Sequence, residues 1–96
     1  MSEEIAVKRL KDHARLMVGA YAFRYPELTR GLFWKVKLQT KIAMGWESAN
    51  MGIPKELKEQ LGEERANEIF KDTTAEIIMN KKLFKEAIRY SKGILL

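Results

Sequence analysis

The stretch Phe33–Trp46, FWKVKLQTKIAMGW, decides the fold because two periodicities run through it. Trp34, Val36 and Leu38 alternate with Lys35, Lys37 and Gln39, and Ile42 follows Lys41, which is the two-residue repeat of a half-buried strand. Trp34, Leu38, Ile42 and Trp46 are also spaced four apart, which lines them along one side of a helix. The flanks favour the helix. Pro26 suits a first helical position, Glu27 behind it suits the positive end of a helix dipole, and Gly52 followed by Pro54 supplies a stop. A helix over 26–51 is therefore expected, with Lys37, Lys41 and Ser48 on one narrow polar face. Nearly everything else on it is apolar or small, the pattern of a buried central helix. The alternative is an α+β fold with a hairpin at about 17–43, in which GAYAFRY pairs with this stretch through PELTRG.

Upstream, residues 3–25 read as a first helix with Val7, Leu10, Ala14, Met17, Val18 and Tyr21 on one stripe. Ile5, Leu16 and Phe23 form a second, thinner stripe, so this helix is either central or in contact with a partner chain. Downstream, PKELKEQLG reads as a short helix stopped at Gly62. EERANEIFKDTTAEIIMN follows, with Ala66, Ile69, Phe70, Thr73 and Ile77 on one side. The capping-box spacing of Thr73 and Glu76 marks a potential break near Asp72. The last helix, KKLFKEAIRYSKG, is expected to stop at Gly93 and leave Ile94, Leu95 and Leu96 as an apolar tail. The expected fold is all-α, a small compact bundle of four to five helices in a single domain spanning 1–96.

A chain of 96 residues can bury one core, but folding hides only about 60 to 65% of its unfolded surface, so the core is lean and association would help it. The absence of cysteine rules out disulfides, thiolate metal sites and cysteine nucleophiles, and is compatible with a reducing, cytoplasmic setting. With His13 as the one histidine, multi-histidine metal sites within the chain are also excluded. The longest apolar run, LMVGAYAF, is too short to span a membrane, and the charged start MSEEIAVKRLKDH argues against a signal peptide. No cofactor is expected.

Charge is unevenly spread. Residues 53–80 carry four basic and seven acidic groups, whereas 81–92 carry five basic and one acidic. Lys81, Lys82, Lys85, Arg89 and Lys92 project within about 100° of arc on a helix, opposite Leu83, Phe84, Ala87 and Tyr90. Such a face could contact nucleic acid phosphates or another anionic surface, or could simply be solvated. Glu64, Glu68, Asp72 and Glu76 are spaced four apart and form an acidic ladder able to offer oxygen ligands to a divalent cation. The acidic and basic faces are complementary and could set register between chains. His13 reads as a boundary histidine, Trp34 and Trp46 as core aromatics, and Gly45 as a close-packing position. The leading expectation is a non-enzymatic interaction protein that self-associates or joins a larger assembly through Ile5, Leu16, Phe23, Ile94, Leu95 and Leu96. A nucleic-acid-binding accessory protein using the basic C-terminal helix is the alternative, and a metal-dependent enzyme the third.

Overall fold

The structure, a computed structural model, describes residues 2–48 and 53–96. It is all-α: α1 (Glu3–Arg24), a 3-10 turn (Pro26–Thr29), α2 (Trp34–Ser48), α3 (Lys55–Leu61), α4 (Glu63–Met79) and α5 (Lys81–Leu95), with no strand among the described residues. The expected all-α bundle is what forms, and helices occupy the stretch of the alternative hairpin at about 17–43. Gly52, expected to end the second helix, lies outside the described residues, as do the side chains of Trp46 and Ser48 and the surroundings of Gly45.

α1 is the central helix. The Ser2 hydroxyl accepts a hydrogen bond from the Ile5 N–H at 3.3 Å, and Glu3 and Glu4 occupy the positive first turn. Ala6, Leu10, Ala14, Met17 and Val18 are buried in the core, and α1 touches each of the other helices. Its pairing with α5 is antiparallel, because Ala87 lies against Gly19 while Ser91, further along α5, lies against Leu16, further back on α1. The two helices approach so closely that a Cβ at Gly19 would collide with the Ala87 carbonyl and the Ser91 hydroxyl. Buried Ser91 turns this proximity into a bond, its hydroxyl donating to the Leu16 carbonyl at 2.8 Å.

The opening ambiguity resolves as a helix with two unlike sides. Leu38 and Ile42 are fully buried and Trp34 packs on the core, so the four-residue spacing does mark the inward stripe. Val36 mimicked a strand because it belongs to the outward side, where it is exposed. This corrects the expectation of a buried central helix: α2 lies at the periphery and α1 occupies the centre. The expected start at Pro26 is also corrected. Pro26–Thr29 closes into a 3-10 turn, Arg30 is extended, and Gly31 takes φ +93°, a left-handed conformation that interrupts the helix before α2 begins at Trp34.

α3 buries Leu57 and Leu61 and ends at Gly62, whose φ of +87° and N–H bond to the Lys58 carbonyl at 2.8 Å match the expected stop. α4 runs unbroken through Asp72. Ala66, Phe70, Thr74, Ile77 and Ile78 form one continuous buried face; Thr73, expected on that face and as a cap, is only half-buried inside the helix, and its neighbour Thr74 bonds back to the Lys71 carbonyl at 2.8 Å. Asn80 starts α5, its side-chain oxygen accepting from the Leu83 N–H at 3.1 Å. Asn80→Ala is expected to cost about 1 kcal/mol in urea unfolding, because that N–H then has no protein partner. Gly93 does not end α5. It has open space around it and no positive φ, and the helix continues to Leu95, with the Leu96 N–H bonded to the Lys92 carbonyl.

Candidate interaction surfaces

Two features stand out on the surface, and both involve α2. Its first residues and the loop before them leave large apolar side chains in solvent: Leu32 is 89% exposed, Phe33 68% and Val36 64%. Phe33, Val36 and Thr40 follow a three-then-four spacing, so they share the side of α2 that faces away from Leu38 and Ile42.

The second feature is a groove of about 570 Å³ where α2 meets α4 and α5. Trp34, Ile78, Met79, Phe84 and Ile88 give it an apolar lining, and the Trp34 and Phe84 rings lie 5.2 Å apart at an interplanar angle of 51°. Thr29, Lys35, Lys81 and Lys85 also line it, and no carboxylate does so among the described residues. The Lys35 ammonium sits 5.7 Å from the Trp34 ring centroid. A separate groove of about 450 Å³ between α2 and α4 has the opposite character, with Glu64 and Glu68 in its wall.

The helix ends sharpen this contrast. α1, α3 and α4 each carry glutamates in their first turn, where the dipole is positive. α2 and α5 carry none, and both start with lysines, Lys35 and Lys37 in one and Lys81 and Lys82 in the other. The ion pairs among the described residues join Lys8 and Arg15 to Asp12, Arg9 to Glu56, Lys55 to Glu59, and Arg65 to Glu3. None engages a cation of α2 or α5.

The sequence-derived candidates fall as follows. Lys81, Lys82, Lys85, Arg89 and Lys92 are all exposed on α5. Two of them, Lys81 and Lys85, border the apolar groove, and the others do not. Ile5, Ile94, Leu95 and Leu96 are exposed, while Leu16 and Phe23 are half-buried, so this stripe of α1 is only partly open. The acidic ladder Glu64, Glu68, Asp72 and Glu76 is exposed along α4. Among the described residues no group of three or more metal-ligating side chains is close enough to hold an ion. His13 is half-buried, its ring 6.0 Å from that of Phe70 at the contact between α1 and α4.

Sequence reasoning missed Leu32, Phe33 and Val36 as a surface because they were assigned to a buried helix. The one available signal was Val36 itself, which lies off the stripe of Trp34, Leu38 and Ile42. It also missed Lys35, which joins Lys81 and Lys85 only when the chain is folded. Compared with protein families, characterised proteins and solved structures, the chain matches none. No described helix is long and apolar enough to cross a membrane.

Proposed function

We propose that this is a non-enzymatic helical interaction protein that self-associates, with the outward side of α2 as the contact. The observation that carries it is the exposure of Leu32, Phe33 and Val36 on one short stretch; Ile94, Leu95 and Leu96 at the end of α5 are the rival exposed run. Each such side chain gains about 1.5 to 3 kcal/mol when fully buried, stabilisation that the isolated chain leaves unused. A second copy supplies apolar surface of the same kind together with the acidic ladder of α4, which complements the lysines flanking this side of α2. Exposed charge pairs contribute about 0 to 1 kcal/mol each, so they set register while the apolar contact drives association. The residue inventory agrees with a non-enzymatic role, since there is no cysteine and the single histidine lies against Phe70.

Sedimentation velocity over a range of concentrations tests the reading. Removal of Ile94, Leu95 and Leu96 is the informative control: if it alone dissociates the protein, the contact is the C-terminal turn of α5 and not α2. Polar replacements of half-buried Leu16 or Phe23 would disturb the fold as well as any contact, and so discriminate less well.

The exposed cations of α5 favour a second reading, attachment to a nucleic acid backbone. In that case Lys82→Glu, Arg89→Glu and Lys92→Glu together abolish binding to duplex DNA or RNA, and affinity falls steeply with salt. Binding that ignores salt, or that survives the triple reversal, would dismiss it.

A further inference from the structure

We propose that the groove between α2, α4 and α5 binds a long-chain carboxylate, its chain lying along Trp34, Ile78 and Phe84 and its head group held by Lys35, Lys81 and Lys85. The volume of about 570 Å³ is that of a single-ligand site. The lining has the two parts such a molecule requires, apolar side chains along the floor and ammonium groups beside them, without a carboxylate among the described residues to compete.

The electrostatics specify the sign of the head group. Two helix N-termini, those of α2 at Trp34 and α5 at Lys81, converge on this one groove, and each presents the positive end of its dipole. Elsewhere in the fold that end is offset by glutamates. Here lysines reinforce it, and none of them is engaged in an ion pair with a described residue. Crowding like charges around apolar surface is unfavourable in the empty protein, and an anionic head group relieves it. A neutral or cationic amphiphile of equal chain length gains only the apolar part, and a small anion only the charged part. The site does not depend on Phe33 or Val36, so it stands apart from the association surface.

Trp34 is a built-in reporter. In a Trp46→Phe background its emission is followed while decanoate, kept below its micelle concentration, is added. The expected result is a saturable change with one decanoate per chain. Decyltrimethylammonium should bind on the order of tenfold more weakly and acetate should give no response. Lys81→Glu with Lys85→Glu should weaken decanoate on the order of tenfold, whereas Lys81→Arg with Lys85→Arg should retain it. Circular dichroism establishes that both variants keep the native helix content. The site is refuted if the response does not saturate, if the cationic amphiphile binds equally, or if the charge reversals have no effect. Displacement of decanoate by acetate would reduce it to a simple anion site. A response only to anionic phosphatidylglycerol vesicles would replace it with membrane docking. Repeating the titration with Phe33→Gln, Val36→Gln protein, which adds no charge to the first turn of α2, should leave the affinity unchanged.

Discussion

Gly19→Ala is expected to destabilise the protein by about 3 kcal/mol, and Gly19→Val to leave it unfolded at ordinary temperature. Helix propensity predicts the opposite sign for the alanine variant, since alanine in the middle of a helix is favoured over glycine by about 1 kcal/mol. Packing decides the outcome. A Cβ at position 19 meets the Ala87 carbonyl and the Ser91 hydroxyl, and the first of these is backbone that cannot rotate aside. To admit the methyl group, α5 must move away from α1. That movement stretches the bond from Ser91 to the Leu16 carbonyl and loosens the most extensive helix pairing in the fold. Urea unfolding followed by circular dichroism gives the sign directly, and a more stable Gly19→Ala protein would mean that α1 and α5 do not meet as described.

The second large effect concerns association. Phe33→Glu with Val36→Glu should convert the protein to a monomer while leaving its helix content unchanged, and relative to the dissociated wild-type chain its unfolding should shift by no more than about 0.5 kcal/mol per site. Both side chains are exposed, so the single chain loses no core contact when they become charged. In the assembly the same two carboxylates would be buried against apolar surface without partners, which association cannot sustain. Leu38→Glu, two residues beyond Val36 on the inward side, should behave differently. Leu38 is fully buried, and a charge there should unfold the chain outright. The pair of experiments reads the two sides of α2 independently, with helix content reporting one and mass the other.

These two expectations show what was legible in the sequence and what was not. The four-residue spacing of Trp34, Leu38 and Ile42 was sufficient to place the inward side of α2, because burial selects residue type strongly. The outward side reads as core for the same reason: Phe33 and Val36 are apolar like buried residues, and the offset of Val36 from that stripe is the one mark against it. Segment 26–33 was misread because Pro26 and Glu27 suit the first turn of a 3-10 or an α-helix equally. The left-handed conformation of Gly31 that separates them has no sequence mark beyond the glycine itself. At Gly62 the same logic succeeded, since the glycine falls where the buried pair Leu57 and Leu61 ends. At Gly93 it failed, because a glycine ends a helix only where it turns left-handed, and this one stays helical.

Long-range features were the least legible. Gly19 gave no hint of its role, which depends on where α5 comes to lie. The basic face of α5 could be read from spacing, yet its division into Lys81 and Lys85 beside the groove and Lys82, Arg89 and Lys92 away from it depends on Trp34 packing against Phe84, fifty residues away in the chain. Local periodicity carries no information about such pairings.

Light scattering coupled to size exclusion, with absorbance recorded at two wavelengths, tests the central claim most directly. Self-association predicts a defined multiple of 11.2 kDa, free of nucleic acid and stable on dilution to low micromolar protein. A mass of 11.2 kDa at every concentration would contradict it, leaving Leu32, Phe33 and Val36 as surface for a different partner.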